Sequence, residues 1–556
     1  MIMTSPTPVP LPAAYPTGHA GPPCDLWLDG RRGLRWPEDD GPPTAPSEAY
    51  PDASALERDL AARSGVEPER VIVTAGADGA LDRACRAFLA PDRRAVLTDP
   101  TFAMLPHYVA LQGAGRRDVP WPEGPLPVDR LREAAGEATG LVAVVTPSNP
   151  TGLVAATDAL VDLARTCPRM LLVVDLAYVE FADEDPTAAL LAEPNVLVVR
   201  TLSKAWGLAG WRIGYALGPE SVVAALRAAG GPYPTASAGL ALARARLASG
   251  DDHLAGRLAR TRRERDRLGR LLRSAGLQVP PSQANFVLAR GGRAGWLADG
   301  LAGLGIAVRD LGAVGTRLSL PAEPDAFGRL WQGCRTALAP EAILLDIDGV
   351  VVDVGASYRE AIRLTAASFG CEVSAAEIAR EKSRPGSNND WEVTRRLLAD
   401  RGCSVSLAEV TGRFEGFMDD RQLWRREQLI PARRTLERLA ARRSLAAVTG
   451  RPRRDARRVL AQLGLDDLVT TTVVLEDAPA KPDPAPVRLA LRRLGVRRAW
   501  LVGDTPDDMT AARRAGVIPL GVGAPGDAPA ATTGRLVSAG AARVLTSLDD
   551  LEDLLP

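Results

Sequence analysis

The sequence predicts two α/β domains in tandem. Three observations support this: the length, a regular alternation of strand and helix, and a point where that alternation begins again. The chain has 556 residues, several times the roughly 100–200 residues of one domain. From about Cys24 to Ala339, apolar runs alternate with helical segments: VIVTAG, RAVLTDP, LVAVVTPSNP, LLVVDLAY and NVLVVRTLSK. Fully apolar strands separated by helices indicate a parallel sheet covered on both faces. After CRTALAP the pattern restarts with AILLDIDGVVV, crosses about 90 residues of mainly helical character, and resumes as SLAAVTG, VTTTVVLED, RAWLVGDT and GVIPLGVG. This reads as a second open sheet with a helical insertion after its first strand. The division that follows is a proline-rich arm at 1–23, a first domain at 24–337, a short linker at 338–342 and a second domain at 343–556, with the insertion at about 355–440.

Composition narrows the function classes. Lys plus Arg and Asp plus Glu both total 68, so no net field gathers nucleic acid or an anionic membrane. No apolar run approaches the roughly 18 residues that span a bilayer, and the opening segment lacks the basic start and apolar stretch of a secretory signal. Six scattered cysteines without a CxxC pair suit a reducing compartment, so a cytoplasmic protein is expected. His19, His107 and His253 lie far apart, which argues against a histidine-based zinc site. Eight arginines between Arg257 and Arg273 interleave with leucines, as on a solvated amphipathic helix.

Lysine is the informative count. Lys204, Lys382 and Lys481 are the only three, leaving 65 of the 68 basic residues as arginine. A primary amine can lose its proton and form an imine, whereas a guanidinium stays charged. A lysine here either marks a place where arginine would not serve or survives by chance, and its context decides which.

Lys204 follows the strand NVLVVR, with Ser203 beside it and Arg212 downstream. An amine flanked by a hydroxyl and a guanidinium can capture an aldehyde cofactor and its phosphate. Asn149 in SNPTG, and Asp175 with Tyr178 in VVDLAYVEF, end two earlier strands. An anionic Asp keeps a pyridine nitrogen protonated, while Asn and Tyr can bond the phenolic oxygen. Taken in this order, residues 24–337 resemble the fold type I pyridoxal-phosphate aminotransferases, and among them the histidinol-phosphate aminotransferases.

The resemblance implies roles. Lys204 would bond the cofactor and shuttle protons, Asp175 would meet the pyridine nitrogen, and Asn149 and Tyr178 the ring oxygen. Ala77, Asp78, Ser203 and Arg212 would hold the phosphate. Tyr50 in YPD resembles the segment this family lends to a partner's site, which implies a homodimer; Asn285 and Phe286 fall where the family supports its small domain. Arg309 would meet a substrate phosphate and Arg317 the carboxylate of glutamate. The chain departs from the family pattern in GRRG (Gly30 to Gly33), at Gly79, and at Leu105, where an aromatic usually stacks on the ring; the alternatives are stacking by His107 or Tyr108, or packing of the ring on an aliphatic side chain.

Asp346 and Asp348 lie at the end of the strand AILL. Residues two apart share a face, where two carboxylates can meet a hard cation and a phosphoryl group. One can attack phosphorus while the other acts as acid and base on the leaving oxygen. Thr449, Lys481, Asp504 and Asp508 end later strands and supply phosphate and cation contacts. Residues 343–556 resemble the haloacid dehalogenase superfamily: a Rossmann-like domain with an inserted helical cap. That resemblance implies Asp346 as nucleophile, Asp348 as general acid and base, and Thr449 and Lys481 at the phosphate. Mg²⁺ would sit on Asp346, the Asp348 carbonyl and Asp504, with Asp508 in support. The second aspartate points to a phosphatase. Lys382, Arg384, Asn388, Asn389 and Trp391, in a polar run of the insertion, are candidates for reading the leaving group.

Together the resemblances imply transamination of imidazole-acetol phosphate by glutamate, followed by dephosphorylation of histidinol phosphate to histidinol. The alternatives are the same chemistries on another phosphorylated amino compound, or one half acting as a degenerate scaffold. A ligand-sensing DNA regulator needs a basic winged-helix head, for which the residues before Cys24 are too short and proline-rich.

Overall fold

The computed structural model describes residues 21–30, 48–382, 384 and 389–556. The arm up to residue 20, the GRRG segment beyond Gly30 and Asn388 lie outside the described residues. The chain forms two compact units: Trp27–Gly292 with Val308–Phe327, and Arg293–Ala307 with Gly328–Pro556 and a short stretch ending at Leu26.

The first unit is built on a seven-stranded sheet. Its strand order is Val71–Ala75, Ile213–Leu217, Val196–Thr201, Leu171–Asp175, Thr139–Val145, Arg94–Asp99 and Gly115–Pro120. Along Thr139–Val145, Val142 and Val144 enter one apolar core, while Leu141, Ala143 and Val145 enter the other. Burial on both faces is why the central strands read as unbroken apolar runs. The sheet is mixed rather than parallel, because Ile213–Leu217 runs antiparallel to both of its neighbours. Only a short connection separates it from Val196–Thr201, and returning parallel would need a crossover of a dozen or more residues. Helix Asp251–Ser274 buries Leu254, Leu268 and Leu272 on one side, as its leucine spacing predicts.

The second unit carries six parallel strands in the order Val469–Val473, Ser444–Val448, Ala342–Leu345, Ala499–Gly503, Ile518–Val522 and Arg543–Leu545. Among the described residues of the insertion lie the helices Tyr358–Ser368, Ala375–Lys382, Asp390–Ala399 and Leu407–Asp420. Strand Gln428–Leu429 returns antiparallel to Val352–Asp353. Helix Arg433–Arg442 packs on the main sheet, so the insertion closes at Leu429 rather than near 440.

The compact units do not follow the sequence boundary at 338–342, because helix Ala294–Gly303 and most of Pro324–Leu338 belong with the second sheet. Two buried tryptophans account for this. Trp296 Nε1 donates to the Ala337 carbonyl (2.9 Å) and Trp500 Nε1 to that of Thr336 (2.8 Å), and their rings meet edge to face at 4.8 Å. Each indole thus buries its ring with its N–H satisfied.

Candidate active sites

The carboxyl ends of the first sheet's strands surround a cavity of about 310 Å³. Asp175 terminates Leu171–Asp175, Asn149 follows Thr139–Val145, and Ser203 and Lys204 follow Val196–Thr201. Helix Gly76–Phe88 starts at the cavity wall, so the amides of its first turn and its dipole favour an anion there. Gly76 is left-handed (φ 72°), and a Cβ on it would fall 2.6 Å from Arg212 Nη2. Only glycine lets the guanidinium approach this turn. Arg212 is itself left-handed (φ 54°) and pairs with Asp78 at 2.9 Å; a non-glycine residue held there is strain of the kind found at ligand sites.

Lys204 Nζ donates to the Gly30 carbonyl (3.0 Å) and lies 5.5 Å from the Tyr178 ring centre. Burial pushes the Asp175 carboxyl up to about 7, against the Ala177 N–H donated to it at 3.0 Å. Arg317 donates to Asn149 Oδ1 and to the Asp29 carbonyl, and its guanidinium lies over Phe286. Arg309 is its register partner across the small antiparallel sheet and lines the same cavity.

The donor set fits pyridoxal phosphate. The buried hydroxyls of Ser203 and Thr101 have no hydrogen-bond partner among the described residues. Together with the helix amides and Arg212 they make an anion cradle, and Asp175 is a buried acid suited to a cationic ring nitrogen. The residues expected to hold cofactor or substrate in this half line the cavity except Tyr50, which is 79% exposed and stacks on Tyr233 at 4.6 Å; Asn285, Phe286 and His107 do not line it. Leu105 does not line it; it packs in the core beneath the sheet, while Phe102 lines the cavity. Tyr108 hydrogen-bonds Asp78 instead (3.4 Å). Thr101 and Phe102 were not anticipated from sequence, although PTF follows a strand as SNP does.

In the second unit a smaller cleft is lined by Asp346, Asp348, Lys382, Lys481 and Asp504. Carboxylate oxygens of Asp346, Asp504 and Asp508 lie within 4.8 Å of one another. Lys481 Nζ sits 3.0 Å from Asp346 and 2.5 Å from Asp508, and donates to the Val448 carbonyl at 3.0 Å. Gly349 (φ 76°) makes the crowding possible, since a Cβ there would lie 2.2 Å from Asp504 Oδ2. Burial raises the Asp346 and Asp504 carboxyls, and their mutual repulsion with Asp508 adds to it. For Lys481 burial acts downward, but Asp346 and Asp508 outweigh it and hold the ammonium charged. Three carboxylates with oxygens close enough to share one ion make the donor set of a hard divalent cation. Thr449 follows Ser444–Val448, with its N–H on the Val473 carbonyl and its hydroxyl accepting from Arg451 N (3.2 Å).

The Asp348 carboxylate does not join this cluster. Arg451, which sequence reading missed, approaches its Oδ1 with both Nε and Nη2 at 2.6 Å, and donates through Nη1 to Glu427 (2.9 Å). The signal was present, an arginine two residues after Thr449 in VTGR. Lys382 is tied to Asp390 at 2.6 Å while lining the cleft. Asn389 caps the helix Asp390–Ala399 rather than facing the cleft.

Residues 44–336 match the family described as aminotransferase class I and II, and residues 340–516 match haloacid dehalogenase-like hydrolase. A histidinol-phosphate aminotransferase of Xanthomonas euvesicatoria pv. vesicatoria is 37% identical over 306 residues, covering 52% of this chain and 83% of that protein. An aromatic amino acid aminotransferase of Mycobacteroides abscessus is 36% identical over 295 residues, or 51% and 85% of the two chains. A Phytophthora nicotianae protein named imidazoleglycerol-phosphate dehydratase is 40% identical over 237 residues, 39% of this chain; the chain spans about half (52%) of its length. The solved histidinol-phosphate aminotransferase of Sinorhizobium meliloti, in complex with pyridoxal-5'-phosphate, has a TM-score of 0.50 and 27% identity over 56% of this chain and 91% of that one. Among the described residues no helix is long and apolar enough to cross a membrane.

Proposed function

Because the chain belongs to the aminotransferase class I and II family and carries a haloacid dehalogenase-like hydrolase domain, we propose that it works twice on one carbon skeleton. The first unit moves the amino group of glutamate onto imidazole-acetol phosphate, giving histidinol phosphate and 2-oxoglutarate. The second hydrolyses histidinol phosphate to histidinol and inorganic phosphate, the pairing found in histidine biosynthesis. The observation that carries this reading is the cavity around Lys204. Beyond a cradle for the cofactor's phosphate it holds two more arginines, Arg309 and Arg317, enough for a substrate phosphate and a donor carboxylate. Two relatives named for imidazole or histidinol phosphate esters support it.

Bound pyridoxal phosphate supplies the electron sink. The chain's own residues do the rest: Ser203, Arg212 and the amides of Ala77 and Asp78 hold the phosphate, and Asp175 holds a proton at the ring nitrogen. Asn149 and Tyr178 orient the ring oxygen, and the Lys204 amine moves the proton at the reacting carbon. Tyr50, largely exposed, would reach the cavity of a second copy in a homodimer, the assembly that the family resemblance implies.

At the second site the Asp346 carboxylate attacks phosphorus, the ester P–O bond breaks, and the leaving oxygen takes a proton from Asp348. Water then attacks the phosphorylated Asp346 and gives its proton back to Asp348, and phosphate departs. Lys481 and Thr449 bind the phosphoryl oxygens. Asp346 and Asp504, with Asp508 in support and the Asp348 carbonyl as the resemblance implies, would hold Mg²⁺, which would supply positive charge for the phosphoryl group.

Two variants separate the steps. With imidazole-acetol phosphate and glutamate, Asp346→Asn accumulates histidinol phosphate, and Lys204→Ala forms no product unless histidinol phosphate is supplied. If neither phosphate compound turns over in the unaltered protein, the reading fails. Amination of an aromatic keto acid is the second reading, favoured by the 36% identity to an aromatic amino acid aminotransferase; phenylpyruvate outcompeting the phosphate ester would select it.

A further inference from the structure

Arg451 and Glu427 form a charged pair whose side chains are only 2% and 1% exposed. Such a pair gives little net stability over apolar residues of the same size, so its presence beside a reacting group has another physical role to fill. Arg451 reaches outward from this pair to Asp348, and both of its contacts fall on Oδ1. Oδ2 has no protein partner among the described residues, and the Asp348 side chain remains 24% exposed towards the cleft. The Tyr358 ring lies 4.8 Å below the guanidinium, and its hydroxyl donates to Asp455 at 3.1 Å. Glu427 precedes the returning strand Gln428–Leu429, which is paired to Val352–Asp353, and Val352 in turn bridges to Asp348.

We propose that Arg451, held by Glu427, is the positioning residue that fixes the Asp348 carboxylate, tying one oxygen and presenting the other to the ester. This rests on the phosphomonoesterase reading above. In the first half-reaction Asp346 bonds to phosphorus, the P–O bond to the alcohol breaks, and the proton on Asp348 Oδ2 moves to the alcohol oxygen. In the second, water bonds to phosphorus, its proton passes to the same Oδ2, and the bond to Asp346 breaks. A carboxylate free to rotate serves neither transfer well. Lysine would not replace arginine, because a single ammonium lacks the fork that spans Asp348 and Glu427.

The test compares two esters of different leaving group. A p-nitrophenolate leaves without a proton, whereas the alkoxide of histidinol phosphate needs one. In Arg451→Lys and Arg451→Met, kcat/KM for histidinol phosphate should fall by about 10²-fold or more, the usual contribution of a placed acid, while kcat/KM for p-nitrophenyl phosphate, which covers the steps through loss of the leaving group and not the later water step, falls far less. Should the single variants fail to fold, Arg451→Met with Glu427→Leu removes both buried charges together and should show the same split. Equal losses on both esters, or no loss on either, overturn the positioning role while leaving the phosphatase reading intact. An unaltered protein inert towards both esters removes the phosphatase reading, and this assignment with it.

Discussion

Replacing Ser203 by alanine separates cofactor binding from the stability of the fold. The residue is 6% exposed and its hydroxyl has no partner among the described residues. In the cofactor-free protein the substitution removes a buried polar group already unsatisfied, so stability should hold or rise by up to about 1 kcal/mol. With cofactor bound it removes one hydrogen bond to a charged phosphate, worth roughly 1.5–3 kcal/mol, or roughly a 10- to 150-fold weaker Kd. The assay is titration of stripped protein with pyridoxal phosphate, followed by the visible absorbance of the bound cofactor, beside thermal melts of both stripped proteins. An unchanged Kd would refute the cradle. So would a stripped variant melting well below its parent, because it would mean the hydroxyl already had a partner in the fold.

Lys481→Met should abolish phosphate release, spare transamination, and destabilise the metal-free protein by roughly 3–5 kcal/mol, because Asp346 and Asp508 lose their buried cation; phosphate assay and calorimetry check both. Glu264 accepts from Ala322 N at 3.0 Å, and burial pushes its carboxyl up to about 7. A carboxyl raised in the folded state costs nothing below the ordinary carboxylate range and most above pH 7. Glu264→Gln should therefore stabilise by on the order of 1 kcal/mol near pH 8, after allowance for screening, and by nothing near pH 4; melts across that range decide it. Trp296→Phe leaves the Ala337 carbonyl without its indole donor. It should lower the inactivation temperature of the phosphatase by a few degrees, for roughly 1–2 kcal/mol.

What the sequence made legible depended on the range of the forces involved. Apolar runs such as LVAVV and LLVV announce strands buried on both faces, and reactive side chains placed at their ends announce crevices. The polar edge strand Gly115–Pro120 went unread because only Val119 in it is buried. Ile213–Leu217 went unread, together with its direction, because direction depends on the length of a connection rather than on composition. The division into units depends on Trp296 meeting Trp500, a contact between positions far apart in the chain. At the sites, lysines and aspartates stood out by rarity or spacing. Arg451 was one arginine among 65, and its role is visible only once Asp348 and Glu427 are brought around it.

Phosphorus NMR can follow one chain aminating a phosphate ester and then stripping its phosphate in a single sample. The purified protein would be supplied with imidazole-acetol phosphate, pyridoxal phosphate and Mg²⁺, and glutamate added during the recording. The ester signal should stay constant until glutamate enters, then give way to a transient amino-ester signal that decays to inorganic phosphate. Inorganic phosphate appearing at full rate before glutamate, or an amino ester that forms and persists, would contradict the two-step reading.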